Sequence, residues 1–311
     1  MSCEIEAKVL AYSVGEDAPP LPTFQLRYPL QIHAELMTHR VFSRNARSSR
    51  AVPTARLLDE VRERPFIPRY WGANQKGMQA TEECSAPVVI GFGSDDFVFG
   101  TNEEAWLLAR DNAANMAQAF ADAGYHKQVA NRLLAPFLHI DVVLTTTELS
   151  NWFALRDDKA AEPHIRDLAV AMREALTAAG DPVLLRRGEW HLPYVDDGTK
   201  AVIGRETPDN PEGDWGEACL HTARAVSVTR CAQVSYTPFH EAKLSVEQEV
   251  ARHDTLISAR PCHASPLEHQ ATPDCVVGQN EKGEPIWEHP ELHGNLKGWK
   301  QYRKYIPHEC A

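Results

Sequence analysis

The segment from Leu36 to Leu58 combines a high density of arginines with hydroxyl and amide side chains. It contains five arginines and no acidic residue, in a chain whose formal net charge is −11. The interleaved residues are Arg40, Ser43, Arg44, Asn45, Arg47, Ser48, Ser49, Arg50 and Arg56. Guanidinium groups donate paired hydrogen bonds to phosphate oxygens, and neighbouring hydroxyl and amide donors complete such a site. Most charge runs are solvated faces, but this one follows an apolar stretch that should hold it against a core, so the pattern predicts a site for a small phosphorylated ligand.

The elements around this segment follow from hydrophobic periodicity. Apolar and polar residues alternate over Glu4–Tyr12 and Phe24–Tyr28, which predicts two strands. Pro29 is suited to the first position of a helix, and apolar residues follow it at helical spacing. The Ser, Asn, Arg and Pro residues over Ser43–Thr54 favour irregular backbone.

Caps and periodicity predict the later elements. These are helices from Thr101 to about Gly124, over Lys127–Leu134, from about Lys159 to Ala179 and over Leu244–Ser258, and a strand over Val226–Tyr236. Long central helices with strands near both ends indicate an α+β fold. We expect one domain over residues 1–311, with 181–220 as an insertion and 275–311 as a C-terminal extension.

Composition narrows the function classes. A net charge of −11 argues against binding along DNA or RNA, which needs many cationic contacts with phosphates. It also disfavours an acidic membrane surface, and no apolar run is long enough to cross a bilayer. The first residues do not resemble a signal peptide, and the seven cysteines are irregularly spaced. We therefore expect a cytoplasmic enzyme or small-ligand binder with reduced thiols.

Two blocks of sequence resemble the flavin-dependent thymidylate synthases, the ThyX family. Residues Thr38–Arg50 match the signature R-H-R-x-x-S-x-x-x-x-S-x-R at every fixed position except the first, which is Thr38. Ala130–Pro136 resembles the family element A-R-x-x-L-P. Asn151–Arg166 resembles the stretch N-F-x-x-L-R followed by A-Q-x-E-I-R.

A third block occupies an unusual place. His263–His269 resembles H-x-[ST]-P-F-E-H, and Arg230–Tyr236 resembles R-A-A-R-V-S-Y. In the family both precede the R-H-R motif, whereas here they follow it. The resemblance therefore implies a ThyX-like mixed sheet flanked by long helices, and the motif order predicts a circular permutation.

The resemblance also implies an activity. Family members methylate C5 of a uridine 5′-monophosphate with methylenetetrahydrofolate, FAD and NADPH, in homotetramers whose active sites lie between subunits. By position, Arg156 matches a catalytic arginine at the uracil ring. The other matches are substrate contacts at Glu35, Ser48, Arg50 and Arg132, and cofactor contacts at His39, Arg40, Ser43, Asn45, Asn151, His263 and Ser265.

Four positions depart from the family pattern: Thr38, Ala46, Glu162 and His164. Ala46 replaces an acid that helps place the nucleotide, so the chain could accept UMP as well as dUMP. This variant motif is similar to a branch found in phages and in nucleoside-antibiotic pathways, including polyoxin biosynthesis. C5 hydroxymethylation and a non-catalytic nucleotide- or flavin-binding role are the alternatives.

Some of the singled-out residues also have structural interpretations. Glu268 and His269 are predicted to form a buried pair, Arg166 a structural ion pair, and Asn151 could be a helix cap. Cys262, His263, His269 and Cys275 could bind zinc, but their spacing lacks paired C-x-x-C geometry, and we expect no metal. No cysteine lies in a motif that would activate it as a nucleophile.

Overall fold

The computed structural model describes residues 3–92, 95–207, 215–235 and 244–310. Within these ranges the strands are β1 (Glu6–Gly15), β2 (Leu21–Pro29), β3 (Ser43–Ala46), β4 (Val88–Phe92), β5 (Asp95–Phe99), β6 (His139–Thr145), β7 (Val183–Leu185), β8 (Ala271–Pro273), β9 (Val276–Gln279), β10 (Pro285–Trp287) and β11 (Trp299–Gln301). The helices are α1 (His33–Leu36), α2 (Thr54–Glu63), α3 (Asn102–Asp122), α4 (Lys127–Ala130), α5 (Ser150–Arg156), α6 (Pro163–Ala179), α7 (Asp197–Glu206), α8 (Glu217–Gln233) and α9 (Val246–Ser258). Short 3₁₀ turns cover Leu30–Ile32, Asn131–Phe137, Ser265–Glu268, Pro290–Leu292 and Tyr302–Tyr305.

The main sheet has the strand order β3-β6-β2-β1-β7. Its pairs are antiparallel except β1 and β7, which are parallel. The two N-terminal strands are confirmed as β1 and β2. β6 lies outside the predicted strands because its side chains are buried on both faces and do not alternate in burial. The mixed α+β class is confirmed.

Helices cover both faces of this sheet. On one face α5 and α6 pack through Trp152, Leu168 and Met172. On the other face Cys231 of α8 packs against Val143 of β6. The sheet is thus a buried central layer, and its ends and edges are where polar side chains can reach a ligand.

Several predicted helices are confirmed. Thr101 and Glu104 form the expected capping box at the start of α3. α6 begins at Pro163, a turn later than predicted, and ends at Ala179. The cap that follows is Gly180, whose φ of +73° suits glycine. The Lys127–Leu134 helix is α4 followed directly by a 3₁₀ turn, and α9 lies within the predicted range.

Two backbone predictions are wrong. The strand predicted over Val226–Tyr236 is helical as far as Gln233, and Tyr236 lies outside the described residues. α8 is buried on most of its surface, so its small and β-branched residues show no helical stripe. Residues Ser43–Ala46 are not irregular but form the edge strand β3, which β6 pairs with.

The predicted insertion and the predicted C-terminal extension are both hydrogen-bonded to the rest of the fold. β7, in the predicted insertion, extends the main sheet at its β1 edge. β11, in the predicted extension, pairs with β8, and Trp299 donates its indole hydrogen bond to the Pro19 carbonyl at 2.8 Å. No helix among the described residues is long and apolar enough to cross a bilayer.

A chain of buried hydrogen bonds crosses the sheet. Ser13 Oγ lies 2.9 Å from His191 Nδ1, and His191 Nε2 lies 2.7 Å from Thr23 Oγ1. Thr23 contacts Thr145 at 2.6 Å, and Thr145 contacts His269 Nδ1 at 2.8 Å. Burial lowers the pKa of both His191 and His269 to about 3, so both imidazoles are neutral above that pH.

Candidate active site

Helix α5 carries Arg156 from the core to the surface. The Glu148 carboxylate accepts the backbone N–H of Ser150 at 2.7 Å and of Asn151 at 3.3 Å, which caps the helix start. Trp152 is fully buried in the core. Arg156 follows one turn later on the same face, so the helix places a guanidinium at the boundary between core and solvent.

Three side chains from the Glu35–His39 turn hold the Arg156 guanidinium. Nε donates to His39 Nε2 at 3.1 Å, NH1 to Glu35 Oε2 at 3.2 Å and NH2 to Thr38 Oγ1 at 3.3 Å. The Arg156 side chain is 19 % exposed and that of Glu35 41 % exposed. The structure therefore brings together the catalytic candidate Arg156 and two of the predicted ligand contacts, Glu35 and His39.

The hydrogen bond from Arg156 defines the protonation state of His39. Because a guanidinium only donates, His39 Nε2 must accept, and the imidazole is neutral with its proton on Nδ1. Burial and the positive charges of Arg156 and Arg44 lower the pKa of His39. Its ring stacks on Phe42 and meets Trp152 edge-on, which fixes the acceptor toward Arg156.

Thr38, and Arg44 from the predicted phosphate site, shape this turn, although the resemblance assigns neither of them to a ligand contact. Thr38, which replaces the first arginine of the signature, donates to the Glu35 carbonyl at 2.7 Å and accepts from Arg156. Arg44 donates to the carbonyls of Met37 and His39 at 3.2 and 3.3 Å. Their only sequence signal is position within the signature.

Three of the predicted substrate contacts, Ser48, Arg50 and Arg132, lie on two adjacent segments. The turn over residues 48–52 contains Ser48 and the exposed Arg50. Asn131 Nδ2 donates to carbonyls at both ends of this turn, at 2.6 and 3.0 Å, and Lys127 Nζ donates to another at 2.8 Å. Asn131 precedes the exposed Arg132. The two segments are thus fixed to each other, with two guanidinium groups on solvent-facing positions.

Ser43 lies inside the protein. It is fully buried, donates to Asn295 Oδ1 at 3.0 Å and accepts from Gln301 Nε2 at 3.2 Å. Both partners belong to the predicted C-terminal extension, so this extension is bound directly to the signature strand.

Asn45 joins the signature to the third block. Its Nδ2 donates to the Cys231 carbonyl at 2.7 Å, and its Oδ1 accepts from Ser265 Oγ at 3.0 Å. Asn45 is 6 % exposed. The two blocks that lie far apart in sequence are therefore neighbours in the fold, and the circular permutation stays a prediction.

Arg47 belongs to a buried ionic cluster. Its NH1 lies 2.7 Å from Glu60 and 3.7 Å from Asp141. Arg27 contacts the same two carboxylates at 3.3 and 2.9 Å and Glu4 at 2.6 Å. Of the arginines in the predicted anion site, Arg47 is thus structural.

The positions that the resemblance assigns to cofactor contact form two groups. Arg40, Asn151, His263 and Ser265 are exposed, so a ligand can reach these side chains. Ser43 and Asn45 are buried with protein partners, as described above. Contact with a cofactor stays a prediction for both groups.

The structural interpretations have mixed outcomes. Glu268 forms an ion pair with Arg303, and His269 contacts Thr145, so the expected Glu268–His269 pair is wrong although both residues hold the fold. Arg166 is exposed and makes no ion pair with a described residue. The side chain that caps the start of α5 is Glu148. Asn151 contributes only its backbone N–H and is not the capping residue.

Two departures from the family pattern stabilise a helix start. The Glu162 carboxylate accepts the backbone N–H groups of His164 and Ile165, both at 2.9 Å. It also contacts His164 Nδ1 at 2.6 Å.

Across the described ranges, no three His, Cys, Asp or Glu side chains are grouped so that they could hold a metal ion.

Comparison with known proteins gives one family. A family model described as thymidylate synthase complementing protein, Thy1, matches residues 20–180, slightly more than half of the chain. No curated protein sequence matches the chain.

Among solved structures, the chain is similar to the UMP/dUMP methylase PolB from Streptomyces cacaoi, bound with 5-Br UMP or with 5-Br dUMP. Both alignments have 16 % identity and a TM-score of 0.39 and cover 57 % of this chain, with 89 % and 96 % of the PolB chains. Because these values are low, the family assignment rests on the sequence match. That match contains both the Thr38–Arg50 signature and Arg156, and the chain belongs to the thymidylate synthase complementing protein family, the ThyX family.

Proposed function

We propose that the protein methylates C5 of a uridine 5′-monophosphate, UMP and/or dUMP. The one-carbon donor would be methylenetetrahydrofolate, and the reductant would be FAD that NADPH reduces. The observation that carries this proposal is the Arg156 guanidinium, which three side chains of the Glu35–His39 turn hold at the surface. Membership of the family supports the same reaction class.

Arg156 is suited to activating the uracil ring. C5 of uracil is a weak nucleophile, and its reaction requires stabilisation of negative charge that develops on the pyrimidine. A guanidinium has five N–H donors, and Glu35, Thr38 and His39 accept three of them. Two donors remain for the ring oxygens. A cation fixed in advance stabilises such charge without reorganisation.

His39 would act as a positioning residue. Its neutral imidazole accepts the Arg156 Nε–H and so orients the guanidinium plane. A protonated His39 could not accept this bond and would repel Arg156. The lowered pKa keeps the neutral form at physiological pH.

The nucleotide phosphate would bind at the 48–52 turn. Ser48 supplies a hydroxyl, and Arg50 and Arg132 supply guanidinium groups from two segments that Asn131 joins. Phosphate oxygens accept several such donors at once. Ala46 follows Asn45 on β3 without a carboxylate, which supports acceptance of a ribose as well as a deoxyribose.

When bound, FAD would supply the reducing equivalents that convert the transferred methylene group to a methyl group. Arg40, Asn151 and His263 would hold this cofactor through exposed donors. Ser265 would contact this cofactor from its exposed position, and Ser43 and Asn45 would support the site from inside by fixing the signature strand.

Apolar side chains beside the site support assembly from several copies. Met37, Val41 and Leu155 are 44 %, 43 % and 54 % exposed, and all three lie within the segments that form the Arg156 site. A second chain would bury them and close the site from solvent. We propose a homotetramer with active sites between subunits, and light scattering should give the mass of four chains rather than one.

The decisive experiment supplies the purified protein with FAD, NADPH and methylenetetrahydrofolate and compares UMP with dUMP. Mass spectrometry of the product should show a methyl group added to the base of at least one nucleotide. Omitting the folate should abolish the product. Addition of a hydroxymethyl group would contradict the reductive step and support hydroxymethylation. Nucleotide or flavin binding without any product would indicate a non-catalytic homologue.

A further inference from the structure

A cavity separate from the Arg156 site lies outside the residues that match the family. It is a cavity of about 450 Å³ between residues 187–190, α8, β8 and the stretch 300–305. None of its lining residues falls within residues 20–180, the matched range. Its volume is in the range of small-molecule sites.

Lys300 is the most informative residue of this cavity. It lies on β11 opposite Thr272 of β8, so both side chains stand on the same face of the strand pair. Lys300 is 8 % exposed, and its ammonium group contacts no hydrogen-bonding or acidic partner among the described residues. Thr272 Oγ1 is also buried without a hydrogen-bond partner. An ammonium without a counter-charge beside a buried, unpaired hydroxyl group matches an anionic ligand with acceptor oxygens.

Two arginines add positive charge to the same cavity. Arg224 lies 2.7 Å from Glu217, and its Nε is buried without a partner. Arg187 lies 2.9 Å from Glu288. Together with Lys300, these arginines give the cavity three cations against the two carboxylates of Glu217 and Glu288. The polar groups that have no partner can donate hydrogen bonds. An acceptor-only anion such as phosphate matches this set.

Aromatic rings form another wall of the cavity. The Trp190 ring lies 5.7 Å from that of Tyr302 and 5.9 Å from that of Tyr305. The Arg224 guanidinium lies over the Trp190 ring at 4.9 Å, which rigidifies this wall. Tyr305 is 44 % exposed and offers a surface on which a planar ring can stack.

We propose that this cavity is a second ligand site, which binds a nucleoside phosphate with its base on the Tyr305 wall and its phosphate against Lys300, Arg224 and Thr272. Residues of the predicted insertion and of the C-terminal extension line it together with Arg224 and Thr272, which gives the two segments a common role. The site is distinct from the signature turn, and its occupancy does not depend on methyl transfer.

Calorimetric titration of the full chain with ADP, which is not a substrate of the proposed reaction, tests this site. Lys300→Met should weaken ADP binding at least tenfold and leave the melting temperature nearly unchanged, because the ammonium group makes no hydrogen bond or ion pair with a described residue. Tyr305→Ala should weaken binding about tenfold, as expected for loss of one stacking partner. Since Tyr305 is half exposed, this variant should fold even if Lys300→Met does not.

Two matched controls locate the binding. Lys297→Met removes an exposed ammonium from the same segment and should leave ADP binding unchanged. Arg50→Ala alters the proposed phosphate turn and should also leave it unchanged. Three outcomes would overturn the proposal: no ADP binding, ADP binding by both cavity variants as tight as that of the unchanged protein, or loss of binding only in Arg50→Ala. A folate that binds here in place of ADP would overturn the choice of ligand. Each outcome is independent of the methylation assay.

Discussion

The two halves of the signature use their polar residues in opposite ways. The first half forms a turn in which Thr38 and His39 hold the partly exposed Arg156. In the second half Ser43, Asn45 and Arg47 are buried and bind protein groups. One short segment therefore builds the chemical site and also fixes the sheet edge that supports it. Substitutions in the buried half should therefore change stability, and substitutions in the exposed half should change turnover.

Strand alternation explains this division. On β3, Ser43 and Asn45 are buried, whereas Arg44 and Ala46 between them are partly exposed. Side chains two residues apart point to the same face of a strand. A fixed spacing in the motif thus corresponds to a geometric requirement of the sheet edge, and not every fixed polar residue needs to contact a ligand.

The largest expected effect is in the buried half. Glu60→Leu removes the carboxylate that Arg47 and Arg27 share at 2.7 and 3.3 Å. Loss of one partner from a buried ionic cluster leaves uncompensated charge and costs about 3–5 kcal/mol. Urea denaturation should show this loss, while turnover per folded molecule should stay unchanged.

Glu63→Leu is the matched control for this variant, since Glu63 is exposed at the end of the same helix. Its free energy of unfolding should change by about 0.5 kcal/mol or less. If Glu60→Leu were as stable as this control, the buried half would not have the supporting role assigned to it.

The next effect is in the exposed half and concerns turnover. Arg156→Lys keeps a positive charge but cannot reproduce three directed bonds together with two free donors. Turnover should fall about 100-fold, the usual effect of losing one stabilising donor. The melting temperature should shift little because the side chain is partly exposed.

Arg173→Lys provides the comparison for this substitution. Arg173 contacts Asp157 at 2.7 Å and lies over the Phe153 ring, close to α5 but outside the site. Its turnover should remain near that of the unchanged protein. Equal turnover of the two variants would remove the catalytic assignment of Arg156.

The sequence named, among its candidate site residues, two that the structure brings together in the first half. His39 and Arg156 are far apart in the chain, and only the spacing of the signature and of the later N-W-F-A-L-R stretch related them. Arg47 could not be distinguished from Arg50 in this way, because both belong to one run of arginines. Their difference comes from Glu60, which only the tertiary fold places beside Arg47.

Long-range pairing limited the remaining predictions. α8 was predicted to be a strand because burial on most sides removes the periodicity that identifies a surface helix. Lys300 carried no signal, since its importance arises from the β8–β11 pairing and from α8. Glu268 and His269 are adjacent in sequence, yet their partners Arg303 and Thr145 lie in different elements.

The smallest effect concerns pH and the hydrogen-bond chain that crosses the sheet. Burial lowers the pKa of His269 from 6.5 to about 3, so the folded state excludes a proton that the unfolded chain binds below pH 6.5. The stability that neutral His269 contributes is therefore complete above pH 6.5 and decreases as the pH falls toward 3. Linkage gives a loss of about 1 kcal/mol between pH 6.5 and 5.5.

His269→Gln should reduce the measured decrease over this interval by that amount, whereas His263→Gln, at an exposed position, should leave it unchanged. Urea denaturation at both pH values measures the difference, and an identical decrease in the two variants would show that His269 is not held neutral by the fold.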